Sequence, residues 1–166
     1  MAAKDDVPVT PAVRFLRERR IPFRPAHYPY EEHGGTAHAA RSLGADEHAV
    51  VKTLIFQSDP KHAFVVLMHG DREVSTRQLA RHLGVKQVAP ADPAAAQRLT
   101  GYMVGGISPF GQRSRLPVYV EAAILDLPTI WINGGKRGFL VELDPRVLRE
   151  ALGAEPVTVA IGADGT

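Results

Sequence analysis

Lys52 sits in the run VVKTLIF, Val50 to Phe56. The β-branched and apolar content of this run predicts a strand, and strand alternation then places Val50, Lys52, Leu54 and Phe56 on one side. An ammonium group in such a row is costly to bury unless an anion pairs with it. Three arrangements satisfy that constraint. The side chain snorkels to water, the strand buries its other face, or the cation is held in a cleft for an anionic ligand or a polarised carbonyl. Two glycine-rich bends are the other candidates for chemistry: YMVGGISPFGQ, Tyr102 to Gln112, and INGGKRG, Ile132 to Gly138. Neither is a Walker loop or a GxGxxG fingerprint. Gly106-Ile107-Ser108-Pro109-Phe110 also lacks the closing glycine of a nucleophile elbow. Consecutive glycines let backbone N–H groups approach a ligand closely, and they equally well turn a corner. The bends and Lys52 make one site only if the fold gathers them.

Other chemistries are poorly represented. The chain has no cysteine, which excludes disulfides, thiolate zinc sites and a cysteine nucleophile. His33 and His38 lack the spacing of two ligands on one helical turn, the other histidines are dispersed, and no HExxH is present. No metal or other cofactor is expected. No local signature supports a Ser-His-Asp triad, although triads assemble from distant positions. The net charge is only +2, yet the sequence pI is about 9.1. The excess base is local, in Arg14, Arg17, Arg19 and Arg20, in Arg113 and Arg115, and in Lys136 and Arg137. Such clusters either hold a polyanion or keep a surface solvated.

These residues must be positioned by ordinary globular elements. With 166 residues, 45% of them hydrophobic and 23% charged, the chain reads as one domain over residues 1–166. No apolar run approaches the roughly 18 residues of a membrane span. The start, MAAKDDVPVT, lacks the pattern of a secretory signal. A cytoplasmic protein without a membrane partner is expected. Thr10-Pro11 predicts a helix running to about Arg20, with Val13 and Leu16 inward. Pro22, Pro25 and Pro29 hold the next segment extended, and Thr36 is placed to cap the helix TAHAARSL, closed by Gly44. Val50–Phe56 and His62–His69 predict antiparallel partners across Ser58-Asp59-Pro60. Ser75 to Gln78 forms a capping box, and Asp92-Pro93 and Asp144-Pro145 open further helices. Strands are expected at Val118–Glu121, Thr129–Asn133 and Phe139–Leu143. Helices scattered among strands joined by short turns give an α+β fold with much antiparallel pairing. The chain ends read as frayed.

VVKTLIF, then DPAAAQRLTGYMVGGISPFGQRSRLP, then INGGKRGFLVEL resemble the YbaK/EbsC family, related to the editing domain inserted in bacterial prolyl-tRNA synthetases. The match runs in the family's order from about Thr10 to Gly153. The resemblance implies a curved, largely antiparallel mixed sheet flanked by helices. It also implies a hydrolase that removes a wrongly attached amino acid, cysteine above all, from tRNA(Pro). The implied partners are the acceptor end of tRNA(Pro) and, alongside it, prolyl-tRNA synthetase. Lys52 corresponds to the family's key lysine. Tyr28, Thr53, Gly105, Gly106, Ile107, Ser108, Asn133, Gly134 and Gly135 correspond to its substrate-binding positions, with Ser108 a hydrogen-bonding group rather than a nucleophile. The implied mechanism is substrate assistance, in which the cysteine thiol attacks its own ester. Two other readings fit the same residues: editing of another amino acid such as alanine, and a non-catalytic adaptor for tRNA or synthetase. Close relatives carry an aspartate after GGKRG, where this chain has Phe139-Leu140, and often a serine where it has Asn133. Those departures bear on the amino acid accepted; the nearest following acid is Glu142.

Overall fold

The computed structural model describes residues 7–162; residues 1–6 and 163–166, where fraying is expected, lie outside that range. Thr10 caps α1 (Pro11–Glu18) by accepting from the Val13 amide at 3.0 Å, with Pro11 in the first turn. The helix stops short of the expected Arg20, which takes a left-handed φ of 55°. In α2 (Gly35–Leu43) the expected cap does not form. The helix starts one residue earlier, at Gly35, and the single Thr36 hydroxyl proton is shared between the Glu47 carboxylate at 2.8 Å and the Gly70 carbonyl at 3.0 Å. Ser75 and Asp92 do cap α3 (Thr76–Leu83) and α4 (Pro93–Thr100), accepting from the Gln78 and Ala95 amides. The last helix, α5 (Arg146–Leu152), closes at Gly153.

The strands are β1 (Arg24–His27), β2 (Val50–Asp59), β3 (His62–His69), β4 (Glu73–Val74), β5 (Ala89–Pro90), β6 (Val118–Glu121), β7 (Ile130–Lys136), β8 (Phe139–Leu143), β9 (Glu155–Val157) and β10 (Ala160–Ile161). The main sheet runs β1-β8-β7-β2-β3-β6-β9, with β5 on β2, while β4 and β10 form a separate ribbon. Pairs β1·β8, β8·β7, β2·β3 and β2·β5 are antiparallel, and β7·β2, β3·β6 and β6·β9 are parallel. This is the mixed, mostly antiparallel sheet with flanking helices that the family resemblance implied. The extended segment before α2 becomes a true strand on β8. The very short strands β4, β5, β9 and β10 carry too few residues for any periodicity to announce them.

Strand alternation in β2 divides the core. Val51 and Ile55 join the largest cluster, with α1, α5 and Phe110. Val50 packs under α2 with Ala39, Ala40 and Leu140. Phe56, with Leu54 beside it, packs against Leu79 and Ala80 of α3. Lys52 therefore lies between two helix-covered apolar patches on the same strand face. No helix among the described residues is long and apolar enough to cross a membrane.

Candidate active site

The site is a gap in the sheet. Strand β7 pairs with β2 only at Trp131–Val50 and Ile132–Val51, and β5 pairs with it only at Pro90–Phe56 and Ala89–Gln57. Between those contacts, residues 52–55 of β2 have no strand on that edge. The chain beyond Ile132 leaves the ladder through a bulge between Asn133 and Lys136. A hollow of about 790 Å³ opens there, with Lys52, Thr53, Tyr28, Gly105, Ile107, Asn133, Arg137 and Leu140 in its wall. Its size is ordinary for a small-molecule site.

The Lys52 side chain is 20% exposed, neither sealed in the core nor free in solvent. Its ammonium donates to the Arg72 carbonyl at 2.5 Å and to Glu73 Oε2 at 3.2 Å. The ammonium is thus held at the wall of the hollow by protein acceptors, rather than extended freely into water. Thr53 Oγ1 is buried without a hydrogen-bond partner among the described residues. Burial, reinforced by neighbouring Tyr30 and opposed by the backbone at Gly138, pushes the Tyr28 phenol above its ordinary range. Tyr28 thus stays a neutral donor at the hollow's edge.

The two glycine bends touch each other. Asn133 Nδ2 donates to the Gly105 carbonyl at 3.2 Å, while Asn133 Oδ1 accepts from the Gly135 amide at 2.6 Å and the Lys136 amide at 3.1 Å. Arg137 Nε donates to the Val104 carbonyl at 2.9 Å, and its guanidinium lies 5.1 Å from the Tyr30 ring centre. Asn133 is thus a clasp between bends, using an amide's ability to donate and accept at once. Not every expected residue reaches the wall. Ser108 is fully buried, its Oγ accepting from the Phe110 amide at 3.2 Å. The Gly106 amide donates within its own turn, to the Met103 carbonyl. Gly134 faces the Phe139 ring, and Gly135, at φ 100°, faces Tyr102 and Thr10. These four support the wall from behind. Glu142 also lies away from the hollow, paired with Arg24.

Arg137 and Glu73 are among the wall residues that were not singled out as site residues from the sequence. Arg137 could have been found within GGKRG itself. Glu73 could not, because it stands on a two-residue strand with no motif around it. Its loop is braced by His48, His69 and Asp71, whose ligand atoms lie within 4.8 Å of one another. The two rings stack at 3.7 Å with 9° between their planes. A cation in the plane of one ring would be far out of the plane of the other, so the nitrogen lone pairs do not converge on a metal. Hydrogen bonding uses the cluster instead. His48 Nδ1 lies 2.8 Å from Asp71 Oδ1, and His69 Nδ1 donates to the His48 carbonyl at 2.7 Å. Burial pushes His69 below the usual histidine range, against the pull of that carbonyl. For Asp71 burial acts upward, but His48 and Arg72 outweigh it and leave the carboxyl low.

A hollow joining a strand lysine to two clasped glycine bends, in a split mixed sheet, defines a class that sequence comparison identifies. The aminoacyl-tRNA editing domain model matches residues 31–151, and the chain belongs to that family. It is 28% identical over 149 residues to "Putative Cys-tRNA(Pro)/Cys-tRNA(Cys) deacylase EbsC" of Enterococcus faecalis, covering 89% of this chain and 91% of that one. It is 31% identical over 97 residues to the proline–tRNA ligase of Moorella thermoacetica, 58% of this chain but only 17% of the ligase. A solved structure described as "a putative trans-editing enzyme for prolyl tRNA synthetase" superposes with a TM-score of 0.80 at 26% identity, covering 93% of this chain and 100% of that one. The resemblance drawn from the three sequence segments agrees with all of these.

Proposed function

We propose that this chain is a trans-editing deacylase that hydrolyses the ester of mischarged tRNA(Pro), with Cys-tRNA(Pro) its foremost substrate. The observation that carries the reading is the convergence of the Lys52 ammonium, the Gly105 bend and Asn133 on one hollow. An aminoacyl ester is already activated, so its hydrolysis needs positioning and charge stabilisation more than a protein nucleophile. Ser108 is buried and occupied within its own turn, which supports a mechanism that does not use it as a nucleophile. In the reaction proposed, the thiol sulfur of cysteine bonds to its own ester carbonyl carbon. The ribose oxygen leaves with the thiol's proton, and water opens the resulting thiolactone. Lys52 holds an ester or phosphate oxygen of the acceptor end, Tyr28 packs on the terminal adenosine, and the Gly105–Ile107 backbone shapes the carbonyl's seat.

The apolar wall formed by Ala39, Val50 and Leu140 favours a second substrate, alanine, whose side chain needs no polar partner. A panel of mischarged tRNA(Pro) species separates the two by relative single-turnover rates. For Lys52→Ala, loss of one charged donor at the reacting end is expected to lower kcat/KM about 10²-fold. An unchanged rate refutes the role given to Lys52, and salt-sensitive tRNA binding without turnover of any ester replaces the enzyme with an adaptor.

A further inference from the structure

The hollow pairs its lysine with an acid. If Lys52 served an anion alone, a carboxylate 3.2 Å from its ammonium would weaken the field that attracts the ligand. The same carboxylate is an asset if the ligand is itself dipolar. We propose that Glu73 is the receptor for the α-ammonium group of the aminoacyl ester, making a free amino terminus a condition of binding. This rests on the deacylase reading and deepens it.

Four observations carry the proposal. First, geometry: in an amino-acid ester the α-nitrogen and carbonyl oxygen are separated by roughly 2.7–3.6 Å, from standard bond lengths. The protein offers the complementary pair, an ammonium and a carboxylate oxygen, 3.2 Å apart in the wall of the hollow. Second, valence: the Lys52 ammonium has three protons, and Arg72 and Glu73 take two, leaving one for an oxygen of the ligand. Glu73 accepts from Lys52 through one lone pair of Oε2, so the second lone pair of that oxygen can take a proton from the ligand's ammonium. Its side chain is 59% exposed, so a ligand can reach it.

Third, the other acids in the wall are placed differently. Glu31 lies 3.3 Å from His38 and Glu32 lies 3.9 Å from His33, both on the segment leading into α2. Glu73 alone among the acids in the wall touches the cation. Fourth, Glu73 is held in place. Its strand pairs with β10 at Ile161, and the following Ser75 amide donates to the Val159 carbonyl at 2.8 Å. The preceding Asp71 is anchored to His48, whose ring stacks on buried His69. A receptor for a small ammonium group needs that fixed support more than it needs strength.

The consequence is substrate discrimination. An aminoacyl-tRNA with a free amine fits, whereas N-acylated or peptidyl esters lose the charge and bring bulk to the same spot. A free-amine requirement would keep the enzyme off growing peptidyl chains.

The test compares Cys-tRNA(Pro) with N-acetyl-Cys-tRNA(Pro) for wild type, Glu73→Gln and Glu73→Asp, with melting temperatures recorded to verify folding. Wild type is expected to prefer the free amine by roughly tenfold or more, the scale of one charge-assisted hydrogen bond. Glu73→Gln should bring that ratio within about twofold, and Glu73→Asp should restore part of it. A second arm titrates the non-hydrolysable 3′-(L-alanylamido)-3′-deoxyadenosine and its N-acetyl form by NMR, and reads the same preference without turnover. If no aminoacyl ester is hydrolysed but the binding preference is present and lost in Glu73→Gln, the deacylase reading fails while the receptor stands. Equal handling of the two probes by wild type overturns the proposal. So does a Glu73→Gln variant that keeps the preference, or that improves both probes alike, because Glu73 would then only neutralise Lys52.

Discussion

Replacing Gly106 by alanine tests whether the apposed bends shape the site. A Cβ at this position would lie 2.9 Å from the Arg137 amide nitrogen, 3.1 Å from the Lys136 carbonyl carbon and 3.2 Å from Lys136 Cα. Ordinary separations between such atoms are about 3.5–4.0 Å, and all three neighbours are backbone, which cannot rotate aside. The bends must therefore part by roughly half an ångström or more, stretching the Asn133–Gly105 and Arg137–Val104 hydrogen bonds. Overpacking of this kind costs about 1–3 kcal/mol. A shift approaching 1 Å at a catalytic seat costs up to about 10²-fold in rate. The control is Gly44→Ala. Gly44 has φ 66° but nothing within 4 Å of the added Cβ, so the strain is confined to the backbone, at about 1–2 kcal/mol. Urea unfolding should rank the two variants as similarly destabilised, while single-turnover deacylation should fall roughly 10–100-fold in Gly106→Ala only. If Gly106→Ala loses no more activity than Gly44→Ala, the bends do not position the substrate and the reasoning is refuted.

Three further outcomes follow from the same contacts. Thr10→Ala removes both the cap on the Val13 amide and the 2.6 Å bond to the Gly134 carbonyl. It should cost about 1 kcal/mol for the cap and about 1–3 kcal/mol for the orphaned carbonyl. Thr10→Ser should recover most of that in chemical unfolding, and equal losses for both would contradict the assignment. His69, pushed below the usual histidine range chiefly by burial, binds protons more readily when the chain is unfolded. Its contribution to stability is therefore complete above about pH 6.5 and declines as pH falls below that value. The melting temperature should drop between pH 7.5 and 5.5 in wild type, with a shallower slope in His69→Asn, which keeps a donor for the His48 carbonyl; identical slopes would remove His69 as the cause. Arg137→Ala, which removes a guanidinium from the hollow's wall, should weaken tRNA binding and reduce its salt dependence by about one ion. An unaltered salt slope would show that Arg137 meets no phosphate.

Local sequence determined much of the scaffold. Thr10, Ser75 and Asp92 cap their helices because a short oxygen-bearing side chain can reach an amide a few residues ahead. The apolar runs at Val50 and His62 pair as a hairpin across Pro60. Thr36 shows where local reading ends, since the helix begins before it, at Gly35, and its hydroxyl turns to acceptors brought by the fold, the Glu47 carboxylate and the Gly70 carbonyl. The lysine and the glycine bends were legible as candidates from residue type and segment order. Their meeting was not, because it depends on β7 leaving β2 after Val51, a pairing between residues distant in sequence. Tertiary packing alone turned Ser108 into the core, made Asn133 a clasp, and brought Glu73 to the lysine from a strand too short to recognise. Side-chain alternation and capping are short-range and written residue by residue, whereas the gap in a sheet is a property of which strands find each other.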